Sequence, residues 1–175
     1  ITSCCSKENK DNLTFYRLYA DDAKGVCLVF DVVQKKNKDF SLKKLTYMKE
    51  NDELFDFLKE FVSFVYKRTG YSFVFKTLHK WAHFIKAENY SVEDEIRLLY
   101  ESSGDKDGWI IAKPVNVINP YKEIKLDDFP LQLKEIILGP KCPESEVNKF
   151  QIETLLKESN LSGVTVAYSG VKNYM

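Results

Sequence analysis

The stretch Tyr90-Ser91-Val92-Glu93-Asp94-Glu95-Ile96-Arg97-Leu98-Leu99-Tyr100 joins a charged run to an apolar end, and it decides our interpretation of the fold. In an extended strand, successive side chains point to opposite faces. We therefore predict one strand over residues 90–100, with an apolar face that anchors it and a charged face opposite. The apolar face carries Val92, Ile96, Leu98 and Tyr100 and is interrupted by Asp94. The charged face carries Glu93, Glu95 and Arg97.

The charged face of this predicted strand allows two interpretations. If it lines a cleft, Glu93 and Glu95 raise one another's pKa while Arg97 opposes that effect. Such a group is suited to act as a general base or to clamp a substrate. Taken alone, the same pattern is more typical of a half-exposed strand whose charges face solvent.

Length and composition are those of an ordinary globular protein. The 175 residues are enough for one domain with a hydrophobic core, and we predict a single domain over residues 1–175. Hydrophobic residues make up 44% of the chain and aromatic residues 14%, so aromatic rings are expected to carry much of the packing. Lys+Arg and Asp+Glu both number 26, which argues against nucleic-acid binding through a generally basic surface.

The cysteines and histidines give no metal-binding pattern. Cys4, Cys5, Cys27 and Cys142 are not spaced as zinc ligands, and reduced thiols in a cytoplasmic protein are expected. His79 and His83 are four residues apart, but the pattern H-E-x-x-H is absent, and neighbouring lysines favour an exposed basic helix face over a metal site. The sequence shows no membrane-spanning stretch and no signal peptide. Because it opens on Ile1, we expect an upstream segment to be missing.

Hydrophobic periodicity predicts an α+β fold, with a mixed or antiparallel sheet and a helical hairpin packed on it. The hairpin consists of a helix from Asn51 or Asp52 to about Arg68 and a second helix over residues 72–86. A short helix is predicted over residues 13–19, and a last helix begins near Ser145. Strands are predicted over residues 2–6, 26–30 (apolar on both faces and therefore central), 40–48, 109–112, 122–126, 135–138 and 164–168.

Short motifs along the chain resemble an uncharacterised family of bacterial domains. Members of that family read S-F-S, W-R-x-Y-A-D, K-G-V-C-L-x-F-D, F-x-K, E-x-E-x-R and I-x-L-G-P in this order. The corresponding segments here are residues 3–6, 16–21, 24–31, 84–86, 93–97 and 136–140, followed by Ser169 and Tyr174. The chain departs from the pattern at Tyr16, where the family often has Trp, and at Cys5, where it has Phe.

This resemblance implies a bacterial component that is found near phage-defence and abortive-infection genes and whose activity is largely unassigned. The family's layout is similar to that of ADP-ribosyltransferases, which use NAD, so NAD or another nucleotide is the expected substrate. Under this hypothesis Glu93 and Glu95 position or deprotonate the acceptor. Arg17 holds a phosphate and Tyr19 stacks on a ring, while Lys86 and Arg97 are further substrate-binding candidates. In the alternative interpretation neither residue binds substrate: Arg17 pairs with Asp21 or Asp22, and Tyr19 packs in the core.

Two other classes of function stay open at this point. The first is a module that binds nucleic acid, or a nuclease in which the glutamates hold a divalent metal. The second is a non-catalytic module that binds a partner protein. The sequence has no glycine-rich phosphate loop and no serine-hydrolase motif, so kinases, dinucleotide-binding Rossmann proteins and serine hydrolases are excluded.

Overall fold

The computed structural model describes residues 1–33, 39–101, 109–111, 120–124 and 129–172. The helices are α1 (Leu13–Tyr19), α2 (Glu53–Thr69), α3 (Leu78–Ala82) and α4 (Ser145–Glu158). The strands are β1 (Thr2–Cys5), β2 (Val26–Val32), β3 (Phe40–Lys44), β4 (Thr46–Met48), β5 (Ile85–Ala87), β6 (Glu95–Tyr100), β7 (Trp109–Ile111), β8 (Pro120–Lys122), β9 (Leu131–Leu138) and β10 (Thr165–Tyr168). Helices with mixed and antiparallel sheets confirm the predicted α+β class.

The chain forms two compact units. Unit 1 consists of Ile1–Ser6 and Phe40–Glu101, and unit 2 consists of Lys7–Asp39 and Ser102–Met175.

Unit 1 is built on an antiparallel sheet in which β6 lies between β1 and β3. Next to it, β4 and β5 pair in parallel. A small core forms where Leu45, Phe84 and Leu99 pack together with the ring of Tyr47. The residues predicted as one strand over 40–48 are two short strands, β3 and β4, separated by the buried Leu45.

The helix α2 follows its sequence signals closely. The side chain of Asp52 accepts a hydrogen bond from the backbone N–H of Leu54 and caps the first turn. Gly70 ends the helix in the left-handed conformation, with φ of 71°, which a glycine adopts without steric cost. The predicted bounds are therefore correct to within one residue at each end.

The second predicted helix, over residues 72–86, was too long. Only Leu78–Ala82 is helical, and Ile85–Ala87 forms the strand β5 instead. The reason lies in the two aromatic residues that precede the helix. Phe73 and Phe75 both pack against Phe61 of α2, with ring centroids 5.3 and 6.5 Å away, and these contacts compete with continued helix. Tertiary packing overrides the helical spacing here.

The predicted strand over residues 90–100 is shorter than expected. Residues Glu88–Glu93 form a 3₁₀ turn, and β6 begins at Glu95. Asp94 links the two with a positive φ of 42° and pairs with Lys44 at 2.5 Å. Because this left-handed conformation is not extended, the strand cannot continue back through Asp94. An aspartate tolerates the conformation better than most residues do. Val92 is accordingly exposed and is not part of an apolar strand face.

Unit 2 contains a mixed sheet with the order β10-β9-β2. Strand β9 pairs in parallel with β10, and α4 connects the two in the chain. The core consists of Ile136, Leu138, Leu156 and Val166. The prediction that β2 is central was wrong: among the described residues, β9 is the central strand of this sheet and β2 lies at its edge, with Leu28 half exposed.

The strand predicted over residues 122–126 lies partly outside the described residues. Within them, β8 ends at Lys122 and pairs antiparallel with β7. None of the helices in the described ranges combines the length and apolar character that crossing a membrane requires.

Candidate functional site

The candidate site is a group of charged side chains in unit 1 around Glu95, at the first position of β6. We call Ser3, Lys86, Glu93, Glu95 and Arg97 the Glu95 cluster. Strand pairing produces part of it, because Ser3 on β1 is the register partner of Arg97 on β6. Glu95 is only 4% exposed, which is unusual for a carboxylate and requires that its charge be compensated.

Three side chains donate hydrogen bonds to the Glu95 carboxylate. The hydroxyl of Ser3 lies 2.6 Å from Oε1, and Arg97 Nε lies 2.7 Å from the same oxygen. Lys86 Nζ donates to Oε2 at 3.0 Å, and Arg97 Nη2 is 3.3 Å from Oε2. Both oxygens are thus engaged, and the guanidinium grips the carboxylate with two of its nitrogens.

Each of the two cations also contacts groups other than Glu95, which hold it in place. Lys86 Nζ donates to Glu93 Oε2 at 2.6 Å and also lies 4.9 Å above the ring centre of Tyr90. Arg97 Nη1 donates to the backbone carbonyl of His83 at 2.7 Å. The side chains of Lys86 and Arg97 are still 23% and 20% exposed, so both can reach solvent.

The pKa of Glu95 is lowered, whereas two glutamates lining one cleft were expected to raise it. Burial raises the pKa of Glu95, but the hydrogen bonds from Arg97, Ser3 and Lys86 outweigh it and bring the pKa down to about 2. The pKa of Lys86 is raised, chiefly by its hydrogen bond to Glu93. Glu95 is therefore a permanently ionised anchor for two cations at neutral pH.

The other two candidate residues, Arg17 and Tyr19, belong to α1 in unit 2. The side chain of Arg17 is 62% exposed and its Nε lies 3.9 Å from Asp22, which is the pairing considered as its structural alternative. Tyr19 is 67% exposed and its ring lies 6.3 Å from that of Phe15. The alternative in which Tyr19 packs in the core is therefore wrong; the buried tyrosine of α1 is Tyr16.

Sequence reasoning missed the residues that complete the surroundings of Glu95. Ser3 is 92 positions away in the chain, and only the pairing of β1 with β6 brings it close. The hydroxyl of Tyr47 accepts a hydrogen bond from the backbone N–H of Glu95 at 2.8 Å. No local sequence pattern signals either contact, because both depend on non-local strand pairing.

The metal-binding alternative finds no ligand set in the part of the chain that the structure describes. No group of three or more His, Cys, Asp or Glu residues is placed there to hold an ion. His79 is largely exposed and lies 3.9 Å from Glu101. The cysteines are free thiols, and each is half-buried.

Comparison with known proteins connects most of the candidate residues to one family model. Residues 15–98 match the model of a family described as Protein of unknown function (DUF2971). The match covers slightly less than half of the chain and includes all the candidate residues named from the sequence, whereas Ser3 precedes it. Neither the curated proteins nor the solved structures contain a match. Over this segment, the chain is therefore similar to an uncharacterised domain family.

Proposed function

We propose that the Glu95 cluster binds the phosphate of a nucleotide, and that the protein uses NAD in an ADP-ribosyltransferase-like reaction. The observation that supports this proposal most strongly is the buried Glu95 carboxylate, which holds Lys86 and Arg97 side by side. Preorganised cations bind an anion without the cost of ordering flexible side chains.

The hydrogen-bond inventory leaves room for such an anion. An ammonium group has three donors, and among the described residues Lys86 gives one to Glu93 and one to Glu95. A guanidinium group has five N–H donors, and Arg97 directs three towards Glu95 and the His83 carbonyl. The remaining donors on two partly exposed cations are suited to phosphate oxygens.

Charge balance assigns different roles to the two glutamates. The cluster contains two cations and two carboxylates, so an incoming phosphate must compete with one carboxylate. Glu93 touches only Lys86 within the cluster, whereas Glu95 contacts both cations and is almost fully buried. We therefore infer that phosphate displaces Glu93 from Lys86 while Glu95 stays in place.

The low pKa of Glu95 favours a positioning role over a proton-accepting one. A general base works best when its pKa is near the operating pH, and a pKa of about 2 is far below it. In ADP-ribosyl transfer the bond between nicotinamide and the ribose C1′ breaks, nicotinamide leaves, and an acceptor nucleophile bonds to C1′ and loses its proton. Glu93, released from Lys86, is then the better candidate to receive that proton or to orient the acceptor.

Binding measurements test the phosphate site directly. We expect calorimetry to detect binding of ADP-ribose and NAD to the wild-type chain, and Lys86→Met to weaken it about tenfold or more, because a charge-assisted hydrogen bond is lost. Glu93→Gln removes the competing carboxylate and should tighten binding several-fold. Lys80→Met is the matched control, since Lys80 is also a partly exposed lysine of unit 1 but pairs with Glu101 outside the cluster.

Two results would count against the proposal. If Lys80→Met weakens binding as much as Lys86→Met, the effect comes from net charge and not from the cluster. If the chain binds ADP-ribose but releases no nicotinamide from NAD, the phosphate site stands and the transferase activity falls. The association with bacterial defence, the cytoplasmic location and roles of Arg17 and Tyr19 in binding substrate stay predictions.

A further inference from the structure

The helix α2 carries an apolar face that its own unit covers only in part. None of its residues is buried. Leu54, Phe57 and Phe64 are 48%, 61% and 59% exposed, and their spacing of three and seven residues places them on one side of the helix. Between them, Phe61 is covered by Phe73 and Phe75 of the same unit. Exposed apolar surface of this kind is typical of an interaction site.

The charged residues beside this face change sign along the helix, from acidic to basic. Glu53, Glu60 and Lys67 recur every seven residues and therefore flank the same side as Phe57 and Phe64. This flank, which we define as Glu53, Glu60 and Lys67, is acidic at its first two positions and basic at its last, and the helix termini have the same signs. Two identical helices placed antiparallel bring the acidic half of each against the basic end of the other.

We propose that α2 is a self-association surface, through which two copies of this chain form an antiparallel, twofold-symmetric dimer. Phe57 and Phe64 of each copy pack against the same residues of the other, and Lys67 of one copy pairs with Glu60 or Glu53 of the second. The change from acidic to basic residues along α2 is the reason for proposing a second copy of the chain as the partner. Two such helices bring opposite charges together when they lie antiparallel, and like charges together when they lie parallel. The proposal is independent of the Glu95 cluster.

A first experiment measures association of the intact chain by sedimentation over a wide range of concentrations. We expect a monomer–dimer equilibrium, and Phe64→Glu should weaken dimerisation about tenfold or more, because it places a charge in the contact. Phe55→Glu is the matched control. Phe55 is 46% exposed but lies nine residues from Phe64, and so on the opposite side of the helix. Circular dichroism establishes that both variants are folded.

A charge exchange tests the orientation. Lys67→Glu makes the flank entirely acidic and should abolish the dimer, and Glu53→Lys with Glu60→Lys makes it entirely basic and should do the same. The triple variant that combines the three changes should restore the homodimer, and a mixture of the acidic and basic variants should form a heterodimer. A monomer at all concentrations would overturn the proposal and would leave the face to another partner. Equal loss in Phe55→Glu, or no recovery in the triple variant, would overturn it as well.

Discussion

At the scale of single residues, Glu95 shows how burial and pairing compete for one carboxylate. Its desolvation disfavours the charge, yet Ser3, Lys86 and Arg97 supply four hydrogen-bond contacts to its two oxygens. The hydrogen bonds lower the pKa by more than desolvation raises it, and the pKa of Glu95 falls to about 2. The sequence indicated that Glu95 and Arg97 share a face, but not that Ser3 joins them, because Ser3 reaches Glu95 only through the pairing of β1 with β6.

The low pKa of Glu95 predicts a specific pH dependence of stability. A pKa that folding depresses from 4.5 to about 2 stabilises the protein fully above 4.5, and this contribution is lost as the pH falls towards 2. The contribution is of the order of 3 kcal/mol. We therefore expect the difference in unfolding free energy between wild type and Glu95→Gln to be largest at neutral pH and to shrink below pH 4.5.

Urea unfolding at a series of pH values measures this difference. Glu50→Gln serves as a control, since Glu50 is an exposed carboxylate of the same unit and outside the cluster. The prediction is contradicted if Glu95→Gln destabilises the protein by the same amount at every pH, because the ionised form then makes no special contribution.

At the scale of secondary-structure elements, local signals predicted where elements begin and end better than how they pair. The cap at Asp52 and the stop at Gly70 define α2, and both are encoded within a few residues. The edge position of β2 was missed because it depends on β9, which lies far along the chain. The short α3 was missed because helical spacing does not reveal that Phe73 and Phe75 pack on Phe61. Apolar residues on both faces of β2 did not distinguish a central strand from an edge strand.

Gly139 illustrates an element boundary fixed by close packing in unit 2. It follows β9, and its N–H donates to the carbonyl of Gly25 at 2.9 Å. A Cβ at this position would collide with the Ala23 carbonyl oxygen and lie 2.7 Å from that of Gly25. Only glycine therefore lets the chain after β9 approach the turn before β2.

We expect Gly139→Ala to destabilise the protein by about 2 kcal/mol or more, since the colliding atoms are backbone and cannot move aside cheaply. Gly163→Ala is the control, because a Cβ there meets no atom within 4 Å, and its effect should stay within about 0.5 kcal/mol. Thermal unfolding followed by circular dichroism compares the two. Equal effects would show that the close approach at Gly139 does not limit stability.

At the scale of the whole molecule, the α+β class followed from composition and periodicity, whereas the division into two compact units did not. The units take segments from separate parts of the chain: Ile1–Ser6 joins a sheet with residues that begin at Phe40. Such an arrangement leaves no linker or change of composition for the sequence to reveal. For the same reason, Ser3 could be assigned to the Glu95 cluster only when the pairing of β1 with β6 was known.

The proposed function depends on Glu95 being an ionised anchor that holds two cations. The most direct test is a titration of the Glu95 side-chain carboxyl by carbon-13 NMR, in the wild type and in Lys86→Met. We predict that the pKa of Glu95 is about 2, well below the ordinary glutamate value of 4.5, and that it rises when Lys86 is changed to Met. A Glu95 pKa at or above 4.5 would contradict the proposal, because Ser3, Lys86 and Arg97 would then give the ionised carboxylate no net stabilisation over its state in water.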